Sequence, residues 1–347
     1  MKMREETVNV SGQEWKQFTF SNNNGMEVSC LNFGGIITNI LTPDKHGKRE
    51  NVVIGYKNYE DYIANPNFFG ALIGRVAGRI EGSSFTLDGE TYHLPPNEGE
   101  NHLHGGPEGF HNRLWQAEPF EKEETVGVTL KHFSPDGHSG YPGNVEVTIT
   151  YTLDNTNTLS IEYEAVSDKD TALTLTNHSY FNLSGDLKAN IADHQLTLPS
   201  STFVELDKES IPTGRKLVVD GTVFDFKDGR SFREGFQSDH EQIQFVGNGY
   251  DHYFIFDKEK EKKVLLDEPQ SGRRLTITTD QPGTIVYTSN KLGDDLALQE
   301  RKSAKYLGLC LETQSSPASL HHDGFPSCLL TKNEKYYTKT AFQFGTI

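Results

Sequence analysis

Cysteine is scarce in this sequence. Cys30, Cys310 and Cys328 are the only three among 347 residues, and no Cys-x-x-Cys spacing occurs. Three thiols cannot complete a disulfide framework, and a paired-cysteine zinc site has no ligands to draw on. Ordinary buried thiols in a reducing, cytoplasmic compartment are therefore the expectation. Positive charge is also short: Lys+Arg 33 against Asp+Glu 49 gives a net charge of −16. A nucleic-acid binder needs a basic stripe to displace counterions, and anionic lipid needs the same, so neither is an expected partner. No apolar run reaches the roughly 18 residues that a membrane helix requires. The opening residues Met1-Lys2-Met3-Arg4-Glu5-Glu6, followed by Thr7-Val8-Asn9-Val10, develop no signal-peptide apolar stretch, which points to a soluble protein. Also missing are a G-x-S-x-G elbow, a P-loop and a G-x-G-x-x-G fingerprint, so serine hydrolysis, nucleotide hydrolysis and Rossmann binding lack support. Helical periodicity is nearly absent. Only Tyr59–Ile63 and Asp294–Leu298 offer a turn or two.

What is present is alternation. In Val145–Leu153 the residues Val145, Val147, Ile149, Tyr151 and Leu153 alternate with Glu146, Thr148, Thr150 and Thr152. Successive strand side chains point to opposite faces, so such a segment buries one face and wets the other. Asp154-Asn155-Thr156-Asn157 then reads as a turn, and Leu159, Ile161, Tyr163 and Ala165 resume the pattern, predicting a hairpin. Phe85–Leu94 predicts another, with Asp88-Gly89 at its tip. Further short strands are expected at Trp15–Phe20, Met26–Asn32, Val52–Tyr56, Gln195–Leu198, Tyr253–Phe256, Leu275–Thr279, Thr284–Tyr287, Leu307–Leu311 and Thr338–Phe344. Strands without intervening helices imply antiparallel sheets packed on one another. The length allows two or three ordinary domains of roughly 100–200 residues. With no linker, low-complexity tract or fixed repeat, one domain over residues 1–347 is the expectation.

Five segments concentrate chemistry. Asn101-His102-Leu103-His104-Gly105-Gly106-Pro107-Glu108 combines a His-x-His pair with a carboxylate, as the metal-binding cupins do. Gly105-Gly106-Pro107 breaks any strand after His104, however, so Glu108 cannot share its face. The other reading is a glycine-backed loop holding an imidazole at a small-molecule cleft. Asn177-His178-Ser179-Tyr180-Phe181-Asn182 crowds polar groups among apolar anchors, so His178 is either a satisfied core residue or a group reserved for a ligand. Asp251 lies beside aromatics, and Glu312 follows the apolar Leu309-Cys310-Leu311. Gly74-Arg75-Val76-Ala77-Gly78-Arg79-Ile80 supplies two arginines. Each carboxylate is either the ion-pair partner of such an arginine or, since an unpaired buried Glu is costly, a candidate general base. His321-His322 reads as a rim feature, and Glu121-Lys122-Glu123-Glu124 as a solvated turn.

In their order and spacing, Gly74–Ile80, Asn101–Gly106, Thr176–Leu183, Gly249–Phe254 and Leu311–Gln314 together resemble the aldose 1-epimerases, the galactose mutarotases. Ser134-Pro135-Asp136-Gly137 and Gly140-Tyr141-Pro142-Gly143 fit the same resemblance, which extends from about Glu27 to Phe344. It implies an all-β supersandwich of large antiparallel sheets with few short helices, an open sugar cleft, and no metal or organic cofactor. By the same resemblance His178 is the general acid, Glu312 the general base and His104 a second imidazole near the ring oxygen. Arg79 and Asp251 would contact sugar hydroxyls, Gln281 would line the cleft, and Asn177 and Tyr180 would complete the sugar contacts. Two departures stand out: Gly78, where many members have asparagine, and Ser316-Pro317-Ala318-Ser319, where an aromatic-Pro-Asp-Ala stretch is usual. The implied reaction opens a hemiacetal with a base at the C1 hydroxyl and an acid at the ring oxygen, the two placed on opposite sides of the ring. Histidine titrates near neutral pH, and burial would raise Glu312 towards it. Galactose or glucose is the implied substrate of a monomer or homodimer. The rivals are a hexose-6-phosphate 1-epimerase, which would need a cationic phosphate pocket, and a non-catalytic carbohydrate-binding protein of the same fold.

Overall fold

The computed structural model describes residues 1–258 and 263–347. Among them, three large antiparallel sheets of nine, six and five strands carry the architecture. The nine-stranded sheet contains the expected hairpin as Val145–Asp154 against Thr158–Ser167, in register from Val145 opposite Ser167 to Leu153 opposite Leu159. Asp154 Oδ1 accepts from the backbone N–H groups of Thr156 and Thr158, which fixes the turn. The smaller hairpin pairs Ser84–Leu87 with Glu90–His93. Asp88 and Gly89 sit at φ 53° and 83°, the positive angles that a two-residue turn between twisted strands demands.

The inward residues of these strands merge into one apolar core. Val147, Ile149 and Tyr151 of the nine-stranded sheet, Phe18 and Val28 of the five-stranded sheet, and Phe254, Val286 and Leu311 of the six-stranded sheet all belong to it. A second core around Trp15, Phe33, Tyr62, Phe69 and Cys310 lies on the other side of the strand Leu309–Gln314. That strand is buried at all six positions. Alternation sends Leu309 and Leu311 into the first core and turns Cys310 and Glu312 the opposite way.

Two sequence expectations fail locally. Val52–Tyr56 is not a strand: the ladder ends with Arg49–Asn51, and only isolated bridges join Val53 to Phe181 and Tyr56 to Leu298. At Val53 the side chain of Asn51 stands in for a ladder partner, accepting from Val53 N and donating to Val53 O, while Val52 N and Ile54 N donate to Ile40 O and Tyr180 O. Asp294–Leu298 forms no helix; Leu296 N donates instead to Ser303 Oγ and Ala297 bridges to Lys302. The helix expected near Tyr59 is present as Asp61–Ala64, while Arg233–Phe236 and Glu241–Phe245 are short helices without a sequence signal. Among the described residues no helix is long and apolar enough to cross a membrane.

Candidate active site

The outer face of the six-stranded sheet forms the floor of an open cleft of about 680 Å³, the solvent at its mouth included. Tyr180 pairs with Cys310, Cys310 with Tyr287, and Tyr287 with Asp251, so one row of side chains crosses four strands. Glu312 and its partner Ile285 form the adjoining row. Strand register thus delivers Glu312 and Asp251 to the same surface although 61 positions separate them in the chain.

Walls rise on two sides. The short strands Arg79–Ile80 and His102–Leu103 pair and bring Arg79 and His104 to the cleft. His104 sits at φ 53°. Its backbone N–H donates to Gly78 O, and its Nδ1 accepts from Gly78 N, both at 3.1 Å. With Nδ1 an acceptor, the proton of the neutral ring belongs on Nε2, which makes His104 a donor on its free side. The following glycine is obligatory: a Cβ on Gly105 would stand 1.9 Å from Gly74 O. On the other side, His178 is bracketed by a loop, its N–H donating to Ala71 O and its carbonyl accepting from Gly70 N. Phe68 of that loop lies edge-on to His104, ring centroids 4.8 Å apart, and 5.9 Å from His178.

At the centre, His178 Nε2 lies 3.4 Å from Glu312 Oε1, with both side chains at most 5% exposed. The imidazole's Nδ1 faces Cys310 Sγ at 3.5 Å. Among the described residues Glu312 Oε2 is buried without a hydrogen-bond partner, which leaves an acceptor open to whatever enters the cleft. Burial, reinforced by the Asp251 carboxylate and opposed by Arg79, pushes Glu312 up to about 8. Burial pushes His178 down to about 3 and His104 well below the ordinary imidazole value. Asp251 is also raised by burial, against the pull of Arg79 and Lys291. Desolvation disfavours a charged Arg79, but the Asp251 and Glu98 carboxylates outweigh it and hold the guanidinium protonated.

The structure therefore gathers His104, His178, Glu312, Arg79, Asp251 and Tyr180 around one cleft. Tyr180 presents its ring, since its hydroxyl donates to Asn67 O. The expectation that acid and base face one another across the ring needs correction: no pyranose passes between atoms 3.4 Å apart, so the pair must address one edge of the sugar. Two further expectations do not match the lining. Asn177 turns away, donating to Gly70 O at 2.8 Å and accepting from Ser179 N and Oγ, which shapes the turn carrying His178. Gln281 lies outside the lining because its Nε2 bonds Tyr336 and Thr338 hydroxyls of the nine-stranded sheet. Glu98, Lys291 and Tyr287 line the cleft without having been singled out from sequence. Glu98 and Lys291 come from turns, where no periodicity marks them.

Arg75, four residues before Arg79, does a different job. It is 2% exposed and its guanidinium donates to Ser134 Oγ and to the carbonyls of Ser134, Pro135, Pro142 and Gly143. The Ser134–Gly143 motif is thus the cradle of a buried arginine. The two departures from the resembled pattern also meet: a Cβ on Gly78 would stand 2.8 Å from Pro317 Cγ.

For a metal, donor atoms of His104, His178 and Glu312 lie within 4.8 Å of one another. A zinc ion bound at about 2.0–2.1 Å would require them to close to about 3.5 Å. The cupin-like set does not assemble, because His102 Nδ1 bonds Pro95 O and Glu108 pairs with Arg113 at the surface.

Fold and site define an antiparallel β-supersandwich with a buried carboxylate–imidazole pair in an open polar cleft. The chain belongs to the aldose 1-epimerase family, whose sequence profile matches residues 16–343. It is 40% identical over 325 residues to the galactose mutarotase of Mus musculus, covering 92% of this chain and 91% of that protein. To the aldose 1-epimerase of Escherichia coli (strain K12) it is 34% identical over 338 residues, 96% of each chain being covered. The crystal structure of galactose 1-epimerase from Lactobacillus acidophilus NCFM superposes with a TM-score of 0.87 at 29% identity, covering 99% of both chains.

Proposed function

We propose that this chain is an isomerase interconverting the α- and β-anomers of an aldose by acid–base opening and reclosure of the hemiacetal ring. The observation that carries this reading is the buried Glu312, its Oε2 unpartnered and its Oε1 against His178, at the floor of an open cleft. The C1 hydroxyl oxygen and the ring oxygen are bonded to the same carbon, so adjacent acid and base groups reach both. Glu312 as carboxylate takes the C1 hydroxyl proton, the C1–ring-oxygen bond breaks as the aldehyde forms, and His178 as imidazolium protonates the departing ring oxygen. Rotation about C1–C2 and the reverse transfers complete the exchange. No electrons are gained or lost, so the pair needs only one proton between them. Burial favours the uncharged arrangement, with that proton on Glu312; transfer along the 3.4 Å contact yields the acting ion pair.

His104, a fixed Nε2 donor, would hold the ring oxygen, while Arg79 and Asp251 would fix the hydroxyls further from C1. Galactose, which the names of the relatives carry, and glucose, which the family resemblance implies, are the proposed substrates. The single-domain reading fits one apolar core that spans all three sheets. The three buried free thiols support a reducing, cytoplasmic location. The test is polarimetry on freshly dissolved α-D-galactose. The wild type should speed the approach to equilibrium, and Glu312→Gln should lose about 10²–10⁴-fold of that rate. A wild-type rate in that variant would remove Glu312 as base, and an inactive wild type would leave a carbohydrate-binding protein.

A further inference from the structure

The guanidinium of Arg79 is held from two sides. Glu98 takes it in a fork, Nη2 donating to Oε1 at 3.0 Å and Nε to Oε2, while Nη1 reaches Asp251 Oδ2 at 3.4 Å. Glu98 does not hang on a loose loop. Its N–H and carbonyl both bond the backbone of Asn101, and the Asn97 side chain clips this turn to Leu103 N and O. Leu103 in turn pairs with Arg79, so carboxylate and guanidinium belong to one braced unit. Among the described residues the cleft lining then includes two cationic side chains, Arg79 and Lys291, against the Glu98 and Asp251 carboxylates and the carboxyl of Glu312. A guanidinium whose planar fork is already filled cannot offer that fork to a phosphate.

We infer that Glu98 is a specificity-determining residue: by occupying Arg79 it makes the cleft reject phosphorylated aldoses and admit neutral ones. The inference rests on the sugar-isomerase reading and adds the substrate class the site refuses. Rejection arises in two ways. A sugar phosphate must either displace Glu98 from Arg79 or lie beside the Glu98 and Asp251 carboxylates with Lys291 the one other cation of the described lining to meet it, and both oppose binding. Glu98 thereby positions Arg79 for neutral hydroxyls, leaving the Nη hydrogens not used by carboxylates as sugar donors.

The experiment compares binding of galactose and glucose 6-phosphate by calorimetry in the wild type, Glu98→Gln and Glu100→Gln. Glu100 is exposed on the same turn and outside the cleft lining, so its variant removes the same charge without freeing Arg79. In Glu98→Gln the preference for galactose over glucose 6-phosphate should shrink by about tenfold or more, the worth of a charge-assisted contact to phosphate. Galactose turnover should fall several-fold as Arg79 loses its brace. Glu100→Gln should keep the wild-type preference. An unchanged preference in Glu98→Gln, or an equal shift in Glu100→Gln, overturns the inference. Thermal melts establish folding, and Glu98→Ser serves the same comparison if the amide variant does not fold. Wild-type polarimetry tests the isomerase reading separately, because the binding ratio is read without turnover.

Discussion

Two glutamates, Glu50 and Glu312, are each only 2% exposed, and their surroundings differ in one respect: the number of cations. Glu50 ends up among three. Arg273 Nη2 lies 3.0 Å and Lys188 Nζ 2.6 Å from its Oε2, and Lys48 pairs with Oε1. Burial pushes this carboxyl up, but the hydrogen bonds from Lys188, Lys48 and Arg273 outweigh it and bring it down to about 2. Arg273 is itself buried and also donates to Thr42, Leu183 and Lys48 carbonyls. The cluster therefore fastens the five-stranded sheet to the nine-stranded one. Among the described residues Glu312 pairs with no lysine or arginine but with an imidazole that burial keeps neutral, and its carboxyl stays raised at about 8. Burial alone does not separate a structural carboxylate from a chemical one; the company it keeps does. A carboxyl held near neutrality can exchange a proton at working pH, whereas one clamped near 2 cannot.

The strongest way to break this contrast is to make the same substitution at both sites and read rate and stability together. Glu312→Gln should cost about 10²–10⁴-fold in mutarotation while leaving urea stability at neutral pH unchanged or improved, since an unpaired buried acid is exchanged for a neutral amide. Glu50→Gln should do the opposite. It leaves Arg273 buried beside a neutral group, with an expected loss of about 3–5 kcal/mol, while turnover per folded molecule stays near wild type. A Glu50 variant that folds normally but cannot turn over substrate would end the distinction.

How much of this could be read beforehand depended on periodicity. Glu312 stood out as a carboxylate placed after the continuous apolar run Leu309-Cys310-Leu311, which marked it as costly unless paired or used but did not say which face it took, whereas the Val145–Ala165 hairpin was readable to its turn. Val52–Tyr56 misled because its partners are scattered: Asn51 takes both backbone groups of Val53, while Val52 N and Ile54 N donate to Ile40 O and Tyr180 O, and Tyr56 N to the Tyr62 hydroxyl, so no continuous ladder forms. By spacing alone Arg75 and Arg79 looked alike, four apart in an irregular segment; the resemblance singled out Arg79, and the fold sends Arg75 to a carbonyl cradle and Arg79 to the cleft. Glu98 and Lys291 reach the site from polar turns, where sequence offers nothing to separate a lining residue from a solvated one.

Changing pH sharpens the comparison, because the two glutamates have opposite linkage signs. Glu50 is lower folded than its ordinary 4.5, so its stabilisation is complete above about 4.5 and is lost as pH falls towards 2. The stability gap between wild type and Glu50→Gln should therefore close over that acid window. Glu312 is higher folded than its ordinary 4.5, so the native state holds a proton that the unfolded chain has released. Wild-type stability should fall relative to Glu312→Gln as pH rises from about 4.5 to about 8, then level off. Mutarotation should decline above about pH 8, where the Glu312–His178 pair loses its last proton, and Glu50→Gln should leave that limb in place. Urea melts and polarimetry across pH 3–10 supply both curves.

The smallest effects are expected at the two polar residues that the resemblance assigned to the sugar. Asn177→Ala removes the bonds to Gly70 O and Ser179, at a cost of about 1–3 kcal/mol. Because this turn carries His178, the rate constant should fall several-fold while KM moves little. Gln281→Ala removes only donations to Tyr336 and Thr338 hydroxyls, well away from the lining, so about 1 kcal/mol of stability is the expected loss with KM for galactose unchanged. Tyr336 OH keeps its acceptance from Leu175 N, which limits the damage. A raised KM in Gln281→Ala with unaltered stability would mean that this side chain reorients towards bound sugar, and would move it from the sheet interface back into the site.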